Sequence, residues 1–267
     1  MEFFNNIEEF KNVSPALQWA IFIVACLIVL VAIVATIVSI WLFVRYIKFN
    51  RKKNSSGLTG GEVARDILDS NGLQDIKVST WGSLLFGNSY SHYFHKVRLR
   101  RLTKNKKSIT SLAMGAEKSA LAILDKEGDP DMKHRVALTP FIYFGPFAFI
   151  PLLVLGIIID ILVFGFTGVA TIGSAAVGLI LYIISFVLSI KVIKTEIKAQ
   201  KRACEILLAS GMATQEEVDM MQELFKLYNI QYIIDLIIAF LQMILKVLEI
   251  IAKMQNQTGA SAGHSGD

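Results

Sequence analysis

Apolar residues in this chain fall into long unbroken runs separated by strongly polar stretches. Trp19 to Val44 contains no charged residue, which exceeds the roughly 20 residues a helix needs to cross a bilayer. Two more runs, Val136 to Ile159 and Ile161 to Ile190, are parted only by Asp160. Within the second, Gly165-Phe-Thr-Gly168 reads as a turn, so the pair predicts a transmembrane hairpin. A last run, Tyr228 to Ile251, is interrupted by Asp235, Lys246 and Glu249. It is read as a span, with an interfacial helix as the other possibility.

The polar stretches carry helix and strand signals of their own. Thr59-Gly-Gly-Glu62 is a capping box opening a helix with Val63, Ile67 and Leu68 on its apolar face and Gly72 at its end. Asp75 to Thr80 and Ser89 to Leu102 mix β-branched and aromatic with polar residues and predict short strands. Leu112, Ala113, Ala116, Ala120 and Ile123 are spaced for a helix over about Lys107 to Leu124. A further helix is expected over Ile193 to Leu208, and Thr214-Gln-Glu-Glu217 caps the one leading into the last run.

Together these elements predict a membrane protein that is mainly α, with about four transmembrane helices and a small cytoplasmic α+β domain. The expected boundaries are an outer amino-terminal segment 1–17, spans at 18–46, 139–164, 169–190 and 228–252, cytoplasmic parts at 47–138 and 191–227, and a disordered tail 253–267. Composition agrees, since 54% of the 267 residues are apolar against about 45–50% in soluble domains. A cleaved signal peptide is not expected, because Glu2, Glu8 and Glu9 precede a run that is too long for one.

Charge sets the orientation. Arg45, Lys48, Arg51, Lys52 and Lys53 follow the first run, whereas Lys11 stands against three glutamates before it. The positive-inside rule therefore puts the amino terminus outside and the polar domain in the cytoplasm. The net charge of +5 fits a face held near anionic lipid. No aromatics are interleaved between Lys96 and Lys107 as stacking platforms, so nucleic acid is not an expected partner. Cys26 and Cys204 have no metal or disulfide spacing and are read as free, buried thiols. Counting about 1.5 Å per residue from Phe141 puts Asp160 near the outer surface and wet. Asp235 could instead face the bundle, where an acid is costly and a functional candidate.

One segment resembles a known family. Gly57-Leu-Thr-Gly-Gly-Glu-Val-Ala-Arg-Asp-Ile-Leu-Asp-Ser-Asn-Gly-Leu73 is similar to the start of the soluble region in YugP-type membrane zinc metallopeptidases of bacteria. Ser91-His-Tyr93, Lys96-Val-Arg-Leu99 and Glu196-Ile-Lys-Ala-Gln-Lys-Arg-Ala203 follow in the family's order, so the resemblance covers roughly 17 to 252. It implies a zincin-like polar domain in the bacterial plasma membrane. It also implies a His-Glu-x-x-His helix, whose two imidazoles and a later Glu hold zinc while the inner Glu activates water.

The matching residues here are Ala116-Glu117-Lys118-Ser119-Ala120. On this resemblance both histidine ligand positions are alanine, the third ligand is kept as Glu196, and Glu117 holds the general-base position without a metal-bound water to act on. Lys118 is expected to be solvated, with pairing to a nearby acid as the other possibility. His92 and His95, three apart in a strand, would point to opposite faces, and His134 marks the membrane interface, so no substitute metal site is expected.

The reading that follows is a catalytically inactive homologue without cofactor, acting as a scaffold, regulator or peptide-binding protein on the lipid bilayer with other membrane proteins or peptides. Two alternatives stay open: an active zinc metallopeptidase, with native or unusual ligands, and a small transport or channel component relying on Asp235. Deliberate inactivation would also leave alanine at 116 and 120. Lys118-Ser119 and the polar Asp125 to Asp131 stretch, which also depart from the family's usual residues, favour natural loss.

Overall fold

The computed structural model describes residues 13–164 and 169–264. Most of the expected outer segment and the Gly165–Gly168 turn lie outside the described residues. The chain divides into two compact units, one of residues 1–38 and 233–267, the other Ser39–Tyr232.

In the first unit, the start of helix α1 (Pro15–Arg51) meets the far part of the chain. Val13, Leu17 and Ile21 are buried with Ala252, and Leu245 and Leu248 pack against them. The Ser14 backbone N–H donates to Gln255 Oε1 at 3.1 Å. Asp235 is exposed in this unit.

The second unit holds the rest of α1, the elements that follow it and the start of the last helix. Thr59 accepts from the Glu62 N–H and Glu62 accepts from the Thr59 N–H, the predicted capping box, which starts α2 (Gly60–Ser70). Its buried face is Val63, Ala64, Ile67 and Leu68, and Gly72 leaves the helix at φ +67°, a conformation that favours glycine. Strands β1 (Lys77–Ser79), β2 (Ser89–Ser91) and β3 (Lys96–Arg98) form one sheet in the order β1-β3-β2. β1 runs parallel to β3 with Val78 opposite Val97, and β2 antiparallel with Tyr90 opposite Val97. A four-residue helix, α3 (Ser83–Phe86), lies between β1 and β2.

The strand expected from Ser89 to Leu102 is therefore interrupted. His92 to His95 form a hairpin turn, with His95 at φ 45°, and the chain turns helical at α4 (Arg101–Asn105). In a turn the side chains no longer alternate, so the two imidazoles do not point to opposite faces. Their ring centres are 6.1 Å apart. Each has its own acid: His92 Nδ1 lies 2.6 Å from Asp125 Oδ2 and His95 Nδ1 3.5 Å from Asp75 Oδ2.

Helix α5 (Ile109–Lys126) is capped by Ser108 and buried from Ile109 to Leu124. Its depth is set by two glycines. A Cβ on Gly115 would come within 2.3 Å of the Gly60 carbonyl oxygen, and one on Gly60 within 2.6 Å of that of Ser111. The α2 and α5 backbones therefore touch, a close approach only glycine permits.

Helix α6 (Pro130–Ile159) starts with Asp129 as cap and Pro130 in its first turn, and a π-helical segment, Asp160–Phe164, extends it. Asp160 is 4% exposed rather than wet. It accepts from the Ala170 and Thr171 N–H groups at 3.0 and 2.7 Å at the start of α7 (Val169–Ala209), where helix N–H groups lack partners of their own. The last helix, α8 (Gln215–His264), opens with the predicted Thr214 cap, and Glu217 also accepts from the Ser55 N–H at 2.6 Å. The helix reaches His264, over a tail whose composition predicts disorder. No proline interrupts it there, so the helix propagates from the long segment before it.

Among the described residues, α1 and α7 are long and apolar enough to cross a membrane, and only 6% and 11% of their most apolar stretches are buried. A core helix of a soluble protein would be covered. These are apolar all round and uncovered, a pattern suited to hydrocarbon. Cys204 is buried as expected, whereas Cys26 is exposed on α1.

Candidate functional site

The four site residues singled out in the sequence come together in the second unit. Ala116, Glu117 and Ala120 lie on the buried helix α5, and Glu196 reaches toward them from α7. Ser119 Oγ donates to the Ala64 carbonyl at 3.2 Å, fixing the rotation of α5 against α2. Ala116 and Ala120 are fully buried. Each presents a methyl group and no donor atom.

Lys118 is where the expectation fails. It is 8% exposed, not solvated, and its Nζ lies 2.9 Å from Glu117 Oε2 and 3.1 Å from Glu196 Oε2. The second oxygen of Glu196, Oε1, is 2.6 Å from an Arg135 guanidinium nitrogen on α6. Glu117 Oε1 accepts from Gln200 Nε2 at 3.0 Å, and Gln200 exchanges hydrogen bonds with Asn229 of α8. Glu196 and Gln200 are four apart, so one face of α7 serves both carboxylates.

Two carboxylates and two cations thus cancel in a buried cluster. Removing a charge from water costs several kcal/mol unless a partner and further hydrogen bonds offset it, and here each carboxylate has both. Burial alone would raise Glu196, yet Lys118 and Arg135 outweigh it and hold its carboxyl at about 2. Burial also raises Glu117, and the neighbouring Glu196 charge adds to this, so it stays above the usual carboxylate range despite Lys118. Burial pulls the Lys118 ammonium down, but the attraction of Glu117 and Glu196 exceeds that and its net shift is upward.

This donor set does not fit a catalytic zinc. Such an ion takes three protein ligands and a water, whereas Ala116 and Ala120 supply nothing and Lys118 and Arg135 already engage the carboxylates. Among the described residues no group of three or more His, Cys, Asp or Glu side chains is placed to hold a metal. His134 is exposed on α6.

Sequence reasoning found Glu117 and Glu196, ranked the pairing of Lys118 with an acid below its solvation, and missed Arg135, Gln200 and Asn229. The four-residue spacing of Glu196 and Gln200 was the available signal. Arg135 and Asn229 offer none, because their pairing crosses three helices.

The family described as "putative neutral zinc metallopeptidase" matches residues 23–252. The chain is similar to the "Putative membrane protease YugP" of Bacillus subtilis (strain 168), 23% identical over 200 residues that cover 74% of this chain and 83% of that protein. No solved structure matches it. With most of its length matched, the chain belongs to the YugP-type family, the one described as "putative neutral zinc metallopeptidase".

Proposed function

We propose that this chain is a catalytically inactive member of its family, a membrane protein that keeps the peptidase scaffold and acts by binding. The observation that carries this reading is the Lys118 ammonium between Glu117 and Glu196, supported by Ala116 and Ala120, which the family resemblance sets at its two histidine positions. Fixed protein cations stand where a metal would otherwise hold the carboxylates. Glu117 then has no metal-bound water to deprotonate and no open oxygen with which to do so.

In the proposed topology four spans, 18–46, 139–164, 169–190 and 228–252, cross a bacterial plasma membrane with the amino terminus outside. The zincin-like domain, 47–138, and the helical part 191–227 are cytoplasmic. The uncovered apolar surfaces of α1 and α7 and the basic residues after α1 support this arrangement. The role is that of a scaffold or regulator of membrane partners, or of a peptide holder that does not cleave.

Metal analysis of the purified full chain tests the reading. The expected result is no stoichiometric zinc and no peptide cleavage. Stoichiometric zinc, or cleavage abolished by a chelator, would replace it with an active peptidase, a reading that family membership and the retained Glu117 and Glu196 favour.

A further inference from the structure

The segment between β1 and α4 exposes apolar side chains that nothing among the described residues covers. Gly82 and Gly87, both with positive φ, bracket α3 and present Leu84 and Leu85, which are 92% and 83% exposed. Trp81 beside them is 70% exposed, and Phe94, in the hairpin turn, is also outside the core. An isolated exposed leucine is ordinary, but a group of large apolar side chains on one short segment marks an interaction surface.

Its own charges are all basic, and the acids against it, Asp125 and Asp75, face His92 and His95 at the hairpin turn. From Ile76 to Ala116 there is no acidic residue, while Lys77, Lys96, Arg98, Arg100, Arg101 and Lys104 all fall there. Lys96 Nζ lies 5.0 Å from the centre of the Trp81 ring, and Arg98 Cζ lies 5.1 and 5.3 Å from Phe86 and Phe94. Lys96, Arg98, Arg100 and Arg101 have no carboxylate partner among the described residues. Arg98 is 5% exposed and its buried Nε lacks a hydrogen-bond acceptor. Aromatic rings mixed with unpaired cations suit a headgroup layer, which offers phosphate above and acyl chain below.

The hairpin also reaches the point where α6 becomes apolar. Tyr93 Oη donates to the Val136 carbonyl at 3.1 Å, and Val136 begins the apolar run that follows His134 and Arg135. The geometry points to this segment, Trp81 to Arg101, as an interfacial anchor that seats on an anionic lipid surface. Trp81, Leu84, Leu85 and Phe94 enter the headgroup layer, and Lys96, Arg100 and Arg101, which unlike Arg98 are not buried, meet lipid phosphates. The inference rests on the proposed membrane-spanning reading.

Tryptophan fluorescence separates the two, because Trp19, Trp41 and Trp81 are the three tryptophans of the chain. The full chain with Trp19→Phe and Trp41→Phe, reconstituted in phosphatidylcholine and phosphatidylglycerol vesicles containing lipids brominated on the upper acyl chain, reports Trp81 alone. Blue-shifted, quenched emission is expected. A Trp19→Phe/Trp81→Phe chain reports Trp41 inside the first span and is expected to be quenched as well. Quenching of Trp41 with hydrated, unquenched Trp81 overturns the anchor and leaves the span standing. Loss of quenching at both overturns the span and the anchor together. Arg100→Glu with Arg101→Glu, added to the Trp81 reporter, is expected to reduce its quenching, and unchanged quenching overturns the assignment to anionic lipid.

Discussion

Lys118 Nζ lies 3.1 Å from Glu196 Oε2, a contact that joins α5 to α7 between residues 78 positions apart in sequence. The same ammonium reaches Glu117 at 2.9 Å, so one side chain neutralises parts of two carboxylates. Four helices meet around that point, and the energetics of the site follow from the loss of any one charge.

Replacing Lys118 with methionine keeps the length of the side chain and removes the cation. Glu117 and Glu196 would then be buried with Arg135 as their one remaining counter-charge. The expected loss is about 3–5 kcal/mol, the usual cost of breaking a buried pair from one side. Glu117→Gln added to Lys118→Met should recover much of it. Thermal unfolding in detergent checks both, and an unchanged midpoint for Lys118→Met would show that the cluster does not support the fold.

Acid should act through Glu196. Its folded carboxyl lies at about 2 against an ordinary value of 4.5, so it contributes stability that is present above 4.5 and lost as pH falls toward 2. Glu117 is shifted the other way, and its contribution is present below 4.5 and lost as pH rises through its folded value. The chain should therefore lose stability between pH 4.5 and 2, and Glu196→Gln should flatten that part of the curve. Equal slopes in both proteins would contradict the assignment.

Placing histidine at 116 and 120 tests whether the scaffold accommodates zinc. Ala116→His with Ala120→His is expected to bind it weakly, because Lys118 continues to occupy Glu196. Adding Lys118→Ala should raise uptake toward one ion per chain, read by mass spectrometry after dialysis. Equal uptake by the double and triple variants would mean that Lys118 does not compete with the metal.

Gly115→Ala places a Cβ against the Gly60 carbonyl oxygen, at 2.3 Å before any relaxation. Forcing α2 and α5 apart should cost about 1–3 kcal/mol, whereas Gly173→Ala, which meets open space, should cost no stability. Thermal unfolding of the two variants side by side gives the comparison.

Local features were the legible part of the chain. The capping boxes at Thr59 and Thr214, the buried face of α2 and the position of α5 all follow from spacings of three and four residues, which a single sequence displays. The placement of Glu117 and Glu196 was legible through the family resemblance. Long-range pairing was not. Lys118 reads as a surface lysine because its two partners lie on either side of one helix crossing, and Arg135 is separated from Glu196 by the whole α6–α7 hairpin. Asp160 misled for a related reason: rise per residue gives its depth, but its bonds to Ala170 and Thr171 depend on the return of the chain. The hairpin turn at His92 was hidden by residue types that suit a strand.

Arg135 immediately precedes the apolar part of α6, and Glu196 lies shortly after the apolar part of α7 ends at Ile190. Their 2.6 Å contact therefore ties the two helices together at the level where both leave the proposed bilayer. Neither helix can slide lengthwise past the other by a turn without stranding a guanidinium or a carboxylate. In membranes of different thickness the hairpin would accommodate by tilting as a unit, its inner edge pinned like the hinge side of a door.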